Sequence, residues 1–237
     1  MRAKKEKYSL KTVQQVYSYW GKSMLAYRMG VSLFGLGGLA RNKVVDSLHL
    51  KKGDVVLDLA CGPGIMFSRI EKRIGLKGTL IGVDYVPEMI SQCEKLVRRK
   101  KWLNVKLIRK DAAKLKLAPG TVDKIVSVIG LSAIPDHKGA LRACYAALKK
   151  GGTLVVLDGK PFSQRYRLLN PILRLIRWSK SYEREKDLLK DLKEIFGDVK
   201  VKEYLLGSTF IALASKNRNI YIRPDAGLNK SFSRGGF

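Results

Sequence analysis

Three aspartates, two glycines and one histidine are the residues of this 237-residue chain whose types and spacing can do chemistry. Asp58 closes the apolar run "VVLDL", and Gly62 and Gly64 follow at once in "ACGPG". Asp84 ends a second apolar run, "TLIGVD", 20 residues past Gly64, and Asp111 ends a third, "NVKLIRKD". Glycines, having no Cβ, let the backbone turn tightly and approach a ligand. A carboxylate at the end of the second strand suits the hydroxyls of a ribose. A nucleotide cofactor is therefore expected. A dinucleotide needs a third glycine, so that the helix packs close and the pyrophosphate meets its N-terminus. That position holds Phe67. An acid ahead of the glycine turn also favours a cationic ligand and repels a pyrophosphate.

Such residues need strands to bring them to one edge. From Asp54 the chain reads as strands alternating with helices. "DVVLDLA" predicts a strand and "GIMFSRIEKRI" a helix; "TLIGVD" predicts the second strand and "PEMISQCEKLVRRKK" a helix with Pro87 in its first turn. "NVKLIRKD" and "DKIVSVIG" are the third and fourth strands, and "DHKGALRACYAALKK" is a helix closed by Gly151-Gly152. "TLVVLDG" is the fifth strand. This alternation implies a parallel sheet covered on both faces. The last two runs, "DVKVKEYLL" and "STFIALAS", are separated only by Gly207 or its neighbours. So short a link permits an antiparallel hairpin and excludes a helical crossover. Residues 8–48 read as helical, with breaks at Gly30 and at Gly35, Gly37 and Gly38, and the basic end from Asn217 reads as a surface tail. The expected division is a helical lid over 1–48, a cofactor-binding domain over 49–216 and a tail over 217–237.

In this order, "VVLDLACGPG", "IGVDYVPEMI", "RKDAAKL", "VDKIVSVIGLSAIPD" and "LKKGGTLVVLD" resemble the successive motifs of class I S-adenosylmethionine-dependent methyltransferases, from about Val13 to Lys216. The resemblance implies a Rossmann-like, doubly wound α/β fold. Its seven strands would be ordered 3-2-1-4-5-7-6, with strand seven antiparallel. It implies that Gly62 and Gly64, with Ala60, lie against the methionine part of the cofactor and that Asp58 holds its amino end. Asp84, beside Tyr85, would bind the ribose hydroxyls. Asp111 and Ala112 would lie by the adenine, and Ile129 beside the cofactor at the end of strand four.

Displacement at a sulfonium methyl asks mainly for an acceptor held in line, in a site that excludes water. The segment after strand four, "IPDHKGAL", is where the acceptor should sit. His137 is the one histidine near that edge and suits a general base at neutral pH. The plainer alternative is that Asp136 caps the next helix and His137 lies exposed in its first turn. Cys61 reads as a small apolar filler rather than a nucleophile.

The N-terminal stretch "YSYWGKSMLAYRMGVSLFGLGGLARNKVVDSL" resembles the start of the ubiquinone/menaquinone biosynthesis C-methyltransferases and their phospholipid N-methylating relatives. Tyr17 and Tyr27 match the tyrosines with which such a lid covers the cofactor. The segment after strand five is short and lacks the tyrosine- and serine-containing signature of the quinone enzymes. "GSTFIALASK" looks closer to the phospholipid-type relatives. A small, apolar or amphiphilic acceptor, quinone- or lipid-like, is the expectation.

The charge balance of +27 favours anionic partners such as RNA, DNA or an anionic membrane face. "NPILRLIRWSK" begins with Asn170 as an N-cap and Pro171 in the first turn. It would place Arg167, Arg174 and Arg177 opposite an apolar stripe, with Trp178 near its end, as in a helix lying on a membrane interface. RNA methylation is the competing expectation, but "IGLSAIPD" lacks the Asn/Asp-Pro-Pro-aromatic pattern of base-amine methyltransferases, and no RNA-binding module is apparent. Binding without catalysis would be marked by a broken cofactor motif, and none is broken. No run is apolar and long enough to span a bilayer, no secretory signal is visible, and three scattered cysteines fit a reducing cytoplasm without a metal site.

Overall fold

The computed structural model describes residues 8–22, 38–162, 164–170 and 186–217. Four strands fall where the runs predict them, β1 (Val55–Leu59), β2 (Thr79–Asp84), β3 (Val105–Arg109) and β4 (Val122–Val128), and the fifth, β5 (Leu148–Gly159), contains its expected run but starts ahead of it. Helices α1 (Leu10–Lys22) and α2 (Gly38–Leu48) precede them. Helix α3 (Phe67–Ile74) follows β1, α4 (Pro87–Lys100) follows β2, and α5 (His137–Ala147) follows β4. Helix α6 (Leu188–Phe196) leads into β6 (Val199–Tyr204) and β7 (Thr209–Ser215). The sheet order is β3-β2-β1-β4-β5-β7-β6. Pairs from β3 to β5 are parallel, and β7 runs antiparallel to both β5 and β6. This is the Rossmann-like order expected of the class.

The inner strands are largely apolar on both faces because both are covered. Leu57, Ile81, Ile125 and Leu154 are register neighbours packed with α5 and α6 on one side. Val56, Leu80, Val126 and Val155 face α2, α3 and α4 on the other. At the β6 edge, Lys200, Lys202 and Glu203 face solvent, which discourages pairing with another chain. The β6–β7 turn places Leu205, Leu206 and Gly207 at φ of 50°, 56° and 81°.

Phe67 explains how the chain dispenses with a third glycine. Its ring is fully buried and occupies the space left by Gly82 of β2, where a Cβ would stand 2.5 Å from the Phe67 Cζ. The dinucleotide pattern brings a helix close by removing its side chain, whereas here the strand gives up its Cβ. Gly82→Ala will therefore overpack this joint by about 1–3 kcal/mol. The expected fall in the thermal unfolding midpoint is roughly 2–10 °C, with Phe67→Leu restoring part of it in the double variant. An unchanged midpoint in Gly82→Ala would contradict the interlock.

Two local expectations shift. The helix expected to run to Lys150 ends at Ala147, and Gly151-Gly152 lie inside β5 rather than closing a helix. Pairing captures the chain early: the Thr121 amide donates to the Ala147 carbonyl, the Gly151 amide donates to the Lys216 carbonyl, and the β4–β5 register shifts between Val122 and Lys124. The helical reading of 8–48 resolves into α1 and α2, and residues 23–37, including Tyr27, lie outside the described residues. So do 171–185, with Arg174, Arg177 and Trp178, the side chain of Arg167, and the tail from residue 218.

Candidate active site

A cavity opens at the carboxyl edge of the sheet, around the point where the order reverses between β1 and β4. Its wall includes Ala60 and Gly62 after β1, Asp84 and Tyr85 after β2, and Lys110, Asp111 and Ala112 after β3. Val128, Ile129 and Gly130 after β4 continue it, followed by Ala133, Ile134 and Pro135. Leu10, Val13 and Tyr17 of α1 also border it. The structure thus gathers Ala60, Gly62, Asp84, Tyr85, Asp111, Ala112, Ile129 and Tyr17 from distant parts of the chain. Helix α1 docks on the start of α4: Val13, Val86 and Met89 pack together with Tyr8, Tyr17 and Trp20, and Ser18 Oγ donates to Glu88 Oε2 at 2.8 Å.

The two inner carboxylates differ in their partners. Asp84 accepts from the Gly62 amide at 2.8 Å on Oδ2 and from the Val86 amide at 2.9 Å on Oδ1, so it sets the glycine turn from the neighbouring strand. Burial raises its carboxyl above the ordinary value, and the amides of Val86, Gly62 and Tyr85 pull it back. Asp58 is the register partner of Gly82, on the same face of the sheet as Asp84. Its Oδ2 is buried with no hydrogen-bond partner among the described residues. Burial, and then the Asp84 charge, hold its carboxyl well above 3.8. A buried carboxylate oxygen without a partner is expensive, and a cationic group would relieve it. Asp111 caps the short turn Ala112–Lys114, its Oδ1 accepting from the Ala113 amide at 3.0 Å.

The backbone is strained where β1 and β4 end side by side. Ala60 and Ile129, both in the cavity wall, have φ of 53° and 55°. For a β-branched residue such as isoleucine this is a rare conformation, and strain of this kind concentrates at functional sites. Gly64 sits at φ 76°, and a Cβ there would lie 3.0 Å from the Phe67 ring and 3.2 Å from Cys93 Sγ. Cys61 is buried 3.9 Å from Cys93 Sγ, and its thiol is raised by the hydrogen bond to Cys93 and by burial. A thiol so held is the small buried filler expected from the sequence, not a nucleophile.

His137 stands apart from this cavity. It does not border the cavity and is not exposed; it is buried, with Nε2 2.6 Å from Asp191 Oδ2 of α6. Asp136 does cap α5, accepting from the Gly139 amide at 2.8 Å. That cap turns His137 inward against α6, where Lys138 Nζ also reaches Asp191, at 2.9 Å. Burial alone would raise the Asp191 carboxyl, but His137 and Lys138 outweigh it and hold it below 3.8. A depressed carboxyl contributes stability that is present above pH 3.8 and lost as pH falls through its folded value. Asp191→Asn should therefore unfold at a lower temperature than wild type near pH 7. The two melting curves should converge in acid below pH 3.8; a constant gap would show that the ion pair is not the cause.

Sequence reasoning missed Lys110, Met89, Leu10 and Val13 in the wall. Lys110 adjoins Asp111 and was legible as an edge residue. Leu10, Val13 and Met89 depend on how α1 docks on α4, which no local pattern reports.

An open, doubly wound α/β sheet with acids at the ends of β1, β2 and β3 around a glycine turn defines a class I nucleotide-cofactor enzyme fold. The sequence profile of the ubiE/COQ5 methyltransferase family matches residues 3–172, and the chain belongs to that family. It is an S-adenosylmethionine-dependent methyltransferase. Among its relatives is the demethylmenaquinone methyltransferase of Geobacillus sp. (strain WCH70), 26% identical over 199 residues, covering 74% of this chain and 85% of the relative. The corresponding enzyme of Staphylococcus carnosus (strain TM300) is 29% identical over 201 residues, covering 75% and 82%. The solved structure of a SAM-dependent methyltransferase from Aquifex aeolicus shares the fold, with a TM-score of 0.57 at 21% identity, over 74% of this chain and 88% of that one. The residues fit the cofactor: the buried Asp58 oxygen without a partner among the described residues suits its ammonium, and Gly62, at φ 55°, borders the cavity, whereas Asp58 and Gly64 stand behind its wall, Gly64 against Phe67 and Cys93. Among the described residues no helix is long and apolar enough to cross a membrane.

Proposed function

We propose that the chain methylates a small apolar or amphiphilic acceptor of quinone or lipid type. The observation that carries this is the wall beyond β4. Ile129, Ala133, Ile134 and Pro135, with Leu10 and Val13 of α1, make the acceptor side apolar. Such a wall excludes water and orients a hydrophobic body, while offering nothing to read a charged substrate. The relatives named above as demethylmenaquinone methyltransferases support the same class.

The cofactor supplies a methyl group on a sulfonium, whose departure leaves a neutral thioether. The chain's own residues bind and orient. Asp58 holds the ammonium, and Ala60, Gly62 and Gly64 admit the methionine part. Asp84, beside Tyr85, takes the ribose hydroxyls through lone pairs not used by the Gly62 and Val86 amides. Asp111 and Ala112 lie by the adenine, Ile129 beside the reacting end, and Tyr17 covers the cofactor from the lid. Segment 1–48 works as that lid over the domain 49–216, and Tyr27 is assigned to it by resemblance. His137 joins α5 to α6 and moves no proton.

The test is methyl-labelled S-adenosylmethionine with fractionated cell extract. Label is expected in the lipid and quinone fraction. Label in RNA or protein instead would overturn the acceptor class. We also propose that Arg167, Arg174, Arg177 and Trp178 touch an anionic membrane face, bringing the site to its acceptor. Co-sedimentation should then need vesicles containing anionic lipid and be lost in the double variant Arg174→Glu/Arg177→Glu; equal binding to zwitterionic vesicles would reject this.

A further inference from the structure

The turn after β4, Leu131–Ala133, has an unusual set of supports. Its amides are used locally or by the sheet: Ala133 donates to the Gly130 carbonyl, Ile134 to the Leu131 carbonyl, and Ser132 to Asp158 Oδ2 at 2.9 Å. Three successive carbonyls then point outward, at Ser132, Ala133 and Ile134. Carbonyls at a partly buried turn need donors. Here the donors come from far away in sequence. Lys186 Nζ donates to the Ile134 carbonyl at 2.5 Å and to the Ser132 carbonyl at 3.2 Å. Between them, Tyr8 Oη donates to the Ala133 carbonyl at 3.0 Å. The Lys186 ammonium also lies 5.1 Å from the centre of the Tyr8 ring, so the two donors are in contact with each other.

Their positions matter as much as their bonds. Tyr8 stands two residues before α1, and Lys186 two residues before α6. Each is the entrance to an element that lies outside the β1–β5 alternation. Both converge on the turn whose Ala133 and Ile134 form the apolar wall of the cavity. A turn needing only structural support could have its carbonyls met by local side chains, as Thr121 meets the Ala118 carbonyl and Ser208 the Leu205 carbonyl elsewhere in this chain.

We propose that Tyr8 and Lys186 are positioning residues that latch the acceptor-side wall, so that this wall takes its shape only when the N-terminal helix is docked. Cofactor cover and acceptor site are thereby coupled: the element that closes over one holds the carbonyl frame of the other. The proposal rests on the reading that the acceptor lies against residues 131–135. Its physical core, mutual support between α1 and the turn, does not depend on what the acceptor is.

Hydrogen exchange in the presence of S-adenosylhomocysteine tests that core. In Lys186→Met, exchange should rise about tenfold in residues 130–136 and also in residues 9–20, while β6 and β7 stay as in wild type. Tyr8→Phe, which removes one hydroxyl and keeps the ring, should loosen the same two regions to a smaller degree. Lys186→Arg, which keeps a cationic donor, should recover most of the protection. The Tyr8→Phe/Lys186→Met double variant should be little looser than Lys186→Met alone, since both act through one turn. Exchange that rises only around residues 186–196, or an arginine variant no better than methionine, would overturn the latch.

Catalysis gives a second readout, with methyl-labelled S-adenosylmethionine and total lipid extract. Labelling by Lys186→Met and Tyr8→Phe should fall about tenfold in kcat/KM for the lipid acceptor, with S-adenosylhomocysteine affinity changed less than about twofold. An equal loss in both would mark a merely structural role. If wild type labels no lipid, the acceptor class falls and the exchange experiment alone decides the latch.

Discussion

Asp58→Asn will weaken S-adenosylhomocysteine binding about 100-fold and, in the same protein, raise the thermal midpoint of the cofactor-free form near neutral pH. The two effects have one cause. Asp58 is 1% exposed, its Oδ2 has no partner among the described residues, and Asp84 stands on the same face one strand away. Without ligand this carboxylate is a buried charge beside a like charge, which destabilises the fold. With ligand it meets an ammonium, and a charge-assisted bond of this kind is worth about 1.5–3 kcal/mol. Asparagine removes the penalty and the bond together.

Proton linkage gives the pH dependence a definite sign. Burial, then Asp84, hold the folded Asp58 carboxyl well above 3.8. Between 3.8 and that raised value, the folded chain binds a proton that the unfolded chain has released. The Asp58 contribution to stability therefore falls as pH rises through that window and is lowest above it. The wild-type curve minus the Asp58→Asn curve, measured by thermal unfolding from pH 3 to pH 8, should show this decline. Cofactor affinity of wild type should rise over the same window, because an ammonium prefers the ionised carboxyl. A variant that binds normally, or that melts lower than wild type at every pH, would remove Asp58 from the proposed role.

Asp84→Ala is expected to lose both binding and stability. Its two oxygens hold the Gly62 and Val86 amides, and truncation orphans two buried donors at about 1–3 kcal/mol each. The midpoint should fall roughly 10 °C. Affinity for S-adenosylhomocysteine should fall at least about 100-fold, because the ribose loses its acceptor and the glycine turn its anchor. Asp84→Asn should lie between the two, since its amide oxygen can serve one donor. Calorimetric titration below each variant's melting range separates binding from folding. Unchanged affinity in Asp84→Ala would refute the ribose assignment, whatever the midpoint does. The opposite stability signs of Asp58→Asn and Asp84→Ala make the pair diagnostic: one acid buries an oxygen without a partner among the described residues and the other holds its site together.

Much of this was legible in the residues alone. A strand alternates its side chains with period two, and a parallel strand buried on both faces shows as an apolar run. The ends of "VVLDL", "TLIGVD" and "NVKLIRKD" therefore located Asp58, Asp84 and Asp111 at one edge of a sheet. The short link at Gly207 required a hairpin, and β6 and β7 form one. The glycine turn and its missing third glycine could be read as they stand, and so could the class of cofactor.

Other features waited on packing. No local pattern says that Phe67 fills the gap at Gly82, because that depends on the β1–β2 register and the seat of α3. His137 had the spacing of a base and the neighbour of a cap. Only the docking of α6 turned it toward Asp191, 54 residues away, and away from the cavity. The start of β5 was hidden because Leu148 to Gly152 read as the end of a helix until strand pairing claimed them. Tyr8 and Lys186 showed no signal, since the carbonyls they serve lie 125 and about 50 residues distant along the chain. By itself, then, the sequence determined the order of strands and helices and which acids stand at the carboxyl edge of the sheet, because those follow from short-range periodicity and turn chemistry. The tertiary structure alone decided which side chains complete the cavity wall and which brace the elements around it, because those contacts exist only once distant elements are brought into register and packed.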